Sequence, residues 1–318
     1  MARPRLAVIG AGAMGSRHLR VIAQSNAADL VGVVEPNADL GQAVATTHGT
    51  RWFADLDDEL LSTVQGVVVA TPTETHEAIA EHILGAGIPL LVEKPIAPGL
   101  AQTEKLLALA EAQDLPLMCG FAERFNPGFL EARAIIDEPV HVIATRHSPY
   151  APRIRTGVAW DLLVHDVDLV CLIFGGEPSH VRGFTGVHDP RSLPHAEDIA
   201  ETTLVFPDRE IAHVSASRIS QRKVRSLWVH EVDRLIEIDL LRKNVTIHRS
   251  LDLEPADSDG RGYRQESVLE VPDIRQSAEP LVAQFGHFLD LIEGRADSAA
   301  ERRSVLPAHR VVEQLLTQ

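Results

Sequence analysis

Short apolar runs alternate with helical patterns through the first 120 residues of the chain. Strands are predicted at 6–9, 30–35, 66–70, 89–92 and 117–120, and helices at 16–24, 77–84 and 101–112. Runs that are apolar at every position are typical of strands buried on both faces. Because strands and helices take turns, the sequence predicts a doubly wound parallel sheet with right-handed crossovers.

From His141 onward the pattern changes to successive strands, several of which alternate apolar and polar residues. Their predicted ranges are 140–146, 181–187, 201–206, 210–217, 225–230, 235–238 and 244–248. Short connections such as the turn at 207–209 predict a large, mostly antiparallel sheet with one face covered by helices. Helices are predicted at 160–174, at 277–293 and from Pro307 onward, and a polar surface loop at 253–264.

The turn after the first strand has the pattern G-x-G-x-x-G, with Gly10, Gly12 and Gly15 around Ala13 and Met14. Between a buried strand and a helix, the first glycine permits the tight turn and the second lets a pyrophosphate approach the backbone. The third lets helix and strand pack closely. The N–H groups at the helix start then face the phosphates. This context favours dinucleotide binding over a plain strand–helix turn.

Glu35 ends the second predicted strand, about 20 residues after the last glycine of that pattern. An acidic side chain there accepts hydrogen bonds from the adenosine ribose and repels a 2′-phosphate. No Arg or Lys follows at 36–41 to receive such a phosphate. We therefore expect NAD rather than NADP, the alternative being a solvated glutamate at a strand end.

A second loop at a strand end begins with Ala70, Thr71 and Pro72 and continues to His76. Its position at the carboxyl end of a parallel strand suits contact with a cofactor. A proline turn with helix-capping threonines explains the same residues. Both interpretations stay open on sequence alone.

Glu93, Lys94 and Pro95 follow the apolar run at 90–92. A lysine at the end of a buried strand, on the edge expected to face the cofactor, is unusual for a solvated side chain. Glu93 and Lys94 are therefore predicted to contact the cofactor, and Lys94 also the reacting oxygen. The alternative is an exposed loop lysine before a proline turn.

Asp161, His165 and Asp168 are spaced i, i+4, i+7 on a predicted helix and so share one face. A histidine with a carboxylate one turn away is oriented and basic enough to take a hydroxyl proton near neutral pH. Asp161 and His165 are therefore candidate catalytic residues. The alternatives are a partly buried polar helix face and, less favoured without further ligands, a metal pair. We expect no metal.

Arg124 and Asn126 come directly after the last strand of the first domain. They either contact substrate or cap the junction between domains. A second basic group, Arg146, Arg153 and Arg155, surrounds Tyr150 ahead of the helix with His165. Guanidinium groups bind phosphate oxygens bidentately, so we expect this group to bind an anionic substrate. The alternative is pairing with surface carboxylates.

Length and charge limit the classes of protein that fit. At 318 residues, with 45% hydrophobic and 24% charged residues, the chain suits a globular protein of two domains. Its net charge of −15 argues against nucleic acid or an anionic membrane as a partner. Cys119 and Cys171 lack metal-ligand spacing and suit a reducing cytoplasm. The early first strand leaves no room for a signal peptide, and no apolar run is long enough to span a membrane.

Together these patterns predict an α/β protein. Residues 1–120 form a Rossmann-type doubly wound parallel sheet that binds NAD. Residues 121–318 form a second α/β domain with a large, mostly antiparallel sheet, whose C-terminal helices are free to pack back on the first domain.

The order of the motifs resembles the glucose–fructose oxidoreductase and inositol dehydrogenase (Gfo/Idh/MocA) family. The motifs are G-A-G-A-M-G, A-T-P-T-E-T-H, E-K-P, R-F-N-P and D-L-L-V-H-D-V-D, and they cover essentially the whole chain. From Glu123 to Gly175 the chain is most similar to sugar-nucleotide 3-dehydrogenases that act on UDP-N-acetylglucosamine. Many relatives have a glycine where Leu163 stands, although several inositol and sugar-nucleotide dehydrogenases also lack it.

The resemblance implies that Lys94, Asp161 and His165 occupy the catalytic positions. It also implies that the second domain binds substrate and builds a homodimer or homotetramer through the open face of its sheet. The expected function is NAD-dependent oxidation of a secondary hydroxyl of a sugar, such as UDP-N-acetylglucosamine, to a ketone, or the reverse. The alternatives are an inositol or free-sugar dehydrogenase and a non-catalytic sensor that binds nucleotide.

Overall fold

A computed structural model describes residues 2–151, 156–253, 264–273 and 278–318. The chain divides into two units. The first unit contains Met1–Ala122 and Pro280–Arg310, and the second contains Glu123–Glu279 and Val311–Gln318. The division of labour expected for residues 1–120 and 121–318 stays a prediction.

The sheet of the first unit has six parallel strands. They are β1 Arg5–Ile9, β2 Asp29–Val34, β3 Arg51–Phe53, β4 Gly66–Val69, β5 Leu90–Val92 and β6 Leu117–Cys119. Their spatial order, β3-β2-β1-β4-β5-β6, confirms the predicted doubly wound fold. Strand β3 was not predicted, because an exposed arginine and two half-buried aromatic residues give no apolar run.

Helices follow most of these strands, as the alternation predicted. They are α1 Ala13–Gln24, α2 Ala38–His48, α3 Asp58–Leu61, α4 His76–Gly85 and α5 Leu100–Ala112. A 3-10 turn, Thr73–Thr75, leads into α4.

The last two helices in the sequence are α8 Pro280–Ile292 and α9 Ser298–Leu316. The prediction that the last helix begins at Pro307 is wrong, since Pro307 lies inside α9. The helix begins earlier because Asp297 Oδ1 accepts hydrogen bonds from Ala299 N and Ala300 N. A proline inside a helix removes one backbone donor, and the long helix tolerates that loss.

The described residues of the second unit form a sheet of eight strands. Within these residues, β7 and β10 are the one neighbouring pair that runs parallel. The strands are β7 His141–His147, β8 His180–Gly186, β9 Ile199–Val205, β10 Ile211–Ser217, β11 Val224–His230, β12 Leu235–Asp239, β13 Asn244–Leu253 and β14 Arg264–Glu270. Their order is β14-β13-β12-β11-β7-β10-β9-β8, which confirms the mostly antiparallel sheet.

Strand β14 and the second half of β13 were not predicted, because their residues are largely polar. The predicted surface loop at 253–264 begins at the end of β13 and ends at the start of β14. Its central residues, 254–263, lie outside the described part of the chain.

The helices of the second unit are α6 Pro127–Ile135 and α7 Val164–Phe174. The helix predicted at 160–174 therefore has two parts, since a π turn, Ala159–Leu163, precedes α7. Every second residue of β7 is buried, which gives this part of the sheet one covered face and one more open face. Across the described ranges, no helix combines the length and apolar character needed to cross a membrane.

Helix α6 begins at a buried cap. Asn126 Oδ1 accepts a hydrogen bond from Gly128 N, while its Nδ2 donates to Glu123 Oε2 and to the carbonyl oxygen of Leu240. Asn126 is only 3% exposed, so water cannot replace these bonds. Asn37 caps α2 in the same way but at an exposed position, by accepting from Leu40 N.

We expect Asn126→Ala to lower the free energy of unfolding by about 2–3 kcal/mol, because it removes a helix cap and leaves buried partners unsatisfied. Asn37→Ala is the matched control and should cost about 1 kcal/mol or less. Urea denaturation followed by circular dichroism measures both. Equal losses in the two variants would contradict the role given to the buried bonds.

Candidate active site

The glycine turn of the first unit is closely packed at Gly10 and Gly15 and open at Gly12. Gly10 has φ +93°, and a Cβ on it would lie 2.6 Å from the carbonyl oxygen of Ala70. A Cβ on Gly15 would lie 1.9 Å from the carbonyl oxygen of Gly10. By contrast, a Cβ on Gly12 would have no atom within 4 Å. The turn is closed against β4 and open at Gly12, which is where a pyrophosphate must approach.

The start of α1 is available to an anion. Gly12 is the N-cap and supplies no side-chain cap; Ala13 is exposed and Met14 half-buried. Exposed N–H groups and the helix dipole together favour a phosphate at such a position.

Glu35 faces the same turn from the end of β2. Its Oε2 accepts a hydrogen bond from Ala11 N at 3.0 Å, and its Oε1 accepts one from Asn37 N at 3.0 Å. The carboxylate therefore lies at the mouth of the glycine turn, half-buried and held by two backbone donors. The donor set, the open Gly12 position and this carboxylate fit a dinucleotide.

Lys94 is the half-buried residue in a stretch, 90–97, that is otherwise buried. Beside it, Glu93 is 7% exposed, and its Oε1 lies 2.8 Å from His18 Nε2 on α1. A Cβ on Gly120 would lie 2.9 Å from Glu93 Cα, so only glycine leaves space for this backbone. The Glu93 carboxylate is thereby paired with His18, and the expected contact of Glu93 with the cofactor stays a prediction.

Two more histidines hold this loop. The ring nitrogens of His76 lie 2.9 Å from the carbonyl oxygen of Pro95 and 3.0 Å from that of Thr71. His309 accepts a hydrogen bond from Ile96 N at its Nε2, while its Nδ1 lies 2.9 Å from the carbonyl oxygen of Val305.

His76 is 1% exposed and has both ring nitrogens engaged, so it ties the Thr71 loop to the Lys94 loop. The expected contact of His76 with the cofactor stays a prediction. Pro72 accepts a hydrogen bond from the Thr75 hydroxyl, which also bonds to the Thr71 hydroxyl. The loop is therefore internally braced, and Ala70 and Thr71 lie against the glycine turn.

In the second unit, Asp161 lies in the π turn before α7 and His165 in the first turn of α7, both half-buried. Arg218 Nη2 donates to Asp161 Oδ2 at 2.8 Å, and Arg218 Nη1 donates to the carbonyl oxygen of Thr156. Arg218 itself is 2% exposed. A π turn often occurs at a functional site, and this one is fixed at Asp161 by a buried guanidinium.

Asp168 does not share the half-buried position of Asp161 and His165. It is 2% exposed and accepts a bidentate pair from Arg124, at 2.7 and 2.5 Å. The predicted single polar face therefore divides, since Asp168 points to the interior and anchors the helix. Arg124, expected either to contact substrate or to cap the junction, is engaged in this anchor.

Arg146 is also an anchor of α7. It is 2% exposed, donates bidentately to Asp166 at 2.8 and 2.7 Å, and donates to Glu123 Oε1 at 2.9 Å. Burial alone would raise the pKa of Glu123, but Arg146 and Arg225 outweigh it and hold that pKa below its usual value. The expectation that Arg146 binds an anionic substrate is wrong, because its guanidinium is buried among carboxylates.

The remaining predicted substrate contacts divide in the same way. Asn126 has its side-chain atoms used in the α6 cap, which supports the capping alternative. The Tyr150 hydroxyl donates to the carbonyl oxygen of Arg191 at 2.6 Å, and the Arg191 guanidinium lies 4.1 Å from the tyrosine ring centre. Arg153 and Arg155 lie outside the described residues.

Sequence reasoning missed His18 and Arg218. His18 lies one helical turn after Gly15, on the buried side of α1, and Arg218 directly follows the predicted strand at 210–217. Both are ionisable side chains at buried positions, and that burial distinguishes them from solvated surface residues. Burial could not be assigned from one sequence.

The described residues contain no group of three His, Cys, Asp or Glu side chains that could hold a metal ion. Cys119 and Cys171 are buried and form no disulfide with each other. Burial raises the pKa of the Cys171 thiol, which keeps it protonated and unreactive.

Two family models match the chain. One is described as an oxidoreductase family with an NAD-binding Rossmann fold and matches residues 4–121. The other is described as the GFO/IDH/MocA C-terminal domain and matches residues 130–232. The predicted NAD-binding Rossmann fold is thereby confirmed.

The chain is similar over its whole length to UDP-N-acetylglucosamine 3-dehydrogenase from Acidithiobacillus ferrooxidans, at 32% identity over 98% of this chain and 97% of that protein. A solved structure of that dehydrogenase, GnnA, has a TM-score of 0.84 and covers 99% of this chain and 100% of its own, at 29% identity. Inositol 2-dehydrogenase from Leifsonia xyli subsp. xyli is 33% identical over 64% of this chain and 62% of that protein. The expected resemblance is confirmed: the chain belongs to the GFO/IDH/MocA family of oxidoreductases.

Proposed function

We propose that this protein oxidises the C3 hydroxyl of UDP-N-acetylglucosamine, or of a closely related nucleotide-linked sugar, to a ketone. The choice of substrate rests on the end-to-end similarity to UDP-N-acetylglucosamine 3-dehydrogenase, which covers both units. The observation that supports the chemistry is the pair of half-buried reactive side chains, Lys94 and His165, each held by buried neighbours.

The proposed cofactor is NAD rather than NADP. The chemistry supplied by the bound nicotinamide is acceptance of a hydride from the carbinol carbon. Glu35 supports the choice, because its carboxylate at the glycine turn suits ribose hydroxyls and repels a 2′-phosphate. Gly10, Gly12 and Gly15 would accommodate the pyrophosphate beside the start of α1.

His165 would act as the base that takes the hydroxyl proton. Lys94 would donate a hydrogen bond to the same oxygen and stabilise the negative charge that develops there. Asp161 would orient His165 or bind a substrate hydroxyl, and Arg218 would hold that carboxylate in place. The remaining work of the protein is alignment of the reacting groups.

Oxidation of inositol is the second candidate, and the similarity to inositol 2-dehydrogenase over 64% of the chain supports it. A non-catalytic sensor is less well supported, since both Lys94 and His165 are present. A cyclitol carries no phosphate, which distinguishes the first two candidates chemically.

We also propose that the protein works as a homodimer or homotetramer in the cytoplasm. The open face of the second unit's sheet supports self-association, since Ile211 and Trp228 are 39% and 42% exposed there. Two buried cysteines that form no disulfide with each other are compatible with a reducing compartment.

We expect the purified protein to reduce NAD when UDP-N-acetylglucosamine is added, and to do so more efficiently than with NADP. Nicotinamide absorbance measures this against a panel of UDP-sugars, free sugars and inositol, with both cofactors in parallel. Turnover of inositol without turnover of any UDP-sugar would overturn the substrate. Equal efficiency with NADP would overturn the role of Glu35.

His165→Ala should lower kcat by roughly 10²–10⁴, the usual contribution of a positioned acid–base group. Lys94→Ala should cost a comparable factor, and the two losses should be less than additive if both residues act on one oxygen. His180→Ala and Lys105→Ala, at exposed positions, serve as controls. Calorimetric NAD affinity of His165→Ala should match wild type, and a kcat within twofold of wild type would remove His165 from the mechanism.

A further inference from the structure

One stretch of the second unit is basic in an otherwise acidic chain. Between residues 218 and 230 there are four cations and no Asp or Glu, while the whole chain has a net charge of −15. The cations are Arg218, Arg222, Lys223 and Arg225. An acidic protein repels an anionic ligand at long range, so it needs a local group of cations to bind one. This basic stretch is a candidate for that group.

The sheet topology places this stretch at the end of β7. Strands β10 and β11 flank β7, and His147 is opposite both Ser217 and Val224. The connection 218–223 therefore crosses over the carboxyl end of β7. From that same end the chain continues to Tyr150 and then to the π turn with Asp161.

The arginines on either side of Arg222 and Lys223 are fixed. Arg218 donates to Asp161 and to the Thr156 carbonyl oxygen, and Arg225 donates to Glu123 Oε1 at 2.9 Å. These contacts tie the basic connection directly to a proposed catalytic residue.

The middle of the connection differs from its ends. Arg222 and Lys223 are exposed and make no ion pair with any described residue. The Ser220 hydroxyl bridges the backbone N–H and carbonyl oxygen of Arg222, which shapes the turn without using either cationic head group. Two adjacent cations without a carboxylate partner are a favourable place for a polyanion.

The spacing suits one substrate class. Strands two places apart in a sheet are roughly 9–10 Å apart, so Arg218 and Lys223 lie on opposite sides of the β7 end at about that separation. In a nucleotide sugar, the sugar ring separates the ring hydroxyls from the diphosphate. We propose that Arg222 and Lys223 bind the diphosphate of the substrate while its sugar lies beside Asp161. This rests on the proposed function and supplies the anion contact that Arg146 cannot make.

The test uses the full-length protein saturated with NAD and titrated calorimetrically with UDP, with uridine as the ligand lacking phosphates. Arg222→Ala/Lys223→Ala should weaken UDP binding by at least about tenfold and leave uridine binding within twofold. Arg182→Ala, an exposed cation on β8, is the matched control and should bind UDP as wild type does. The salt dependence of UDP binding should also become shallower in the double variant.

In turnover, the double variant should lose efficiency with UDP-N-acetylglucosamine mainly through a higher KM. UDP affinity within twofold of wild type, in a protein that does turn over UDP-N-acetylglucosamine, would overturn this subsite and leave the proposed function standing. A wild-type protein that binds no UDP and turns over only uncharged substrates would overturn both.

Discussion

Two bidentate arginine–aspartate pairs fix the helix on which the proposed base lies. Arg124 holds Asp168 and Arg146 holds Asp166, and all four side chains are largely buried. Removing one partner of such a buried pair typically costs about 3–5 kcal/mol, because the remaining charge has no solvent to stabilise it. Because the two pairs restrain α7, the backbone of His165 is held in place. Proton transfer from a bound hydroxyl requires a base in a fixed position.

The first unit fixes Lys94 by a different means. Its loop is held by buried histidines from three helices: His18 at Glu93, His76 at Pro95 and His309 at Ile96. In both units, a half-buried reactive side chain is next in sequence to a buried, hydrogen-bonded one: Lys94 follows Glu93, and His165 precedes Asp166. The buried neighbours hold the backbone in place, so Lys94 and His165 can remain partly exposed.

The sequence was sufficient where function imposes a local pattern. The glycine turn, the alternating strands and helices, and the positions of Glu35 and Lys94 all have signatures within a few residues. What it could not show was which charged groups pair over long separations. Arg146 looked like a phosphate ligand because it lies near Tyr150 in sequence, whereas its guanidinium pairs with Asp166, 20 residues later in the chain. Helical spacing likewise could not show that Asp168 pairs with Arg124, which lies 44 residues earlier in the chain.

In the proposed reaction a hydride leaves a carbinol carbon of a nucleotide-linked sugar while the chain supplies base and charge stabilisation. This hydride transfer is tested most directly with UDP-N-acetylglucosamine carrying deuterium at C3 of the sugar and with unlabelled NAD. Mass spectrometry should find the deuterium in the reduced nicotinamide, with a 3-keto sugar nucleotide as the product. Deuterium that stays on the sugar, or that appears in water, would contradict the account.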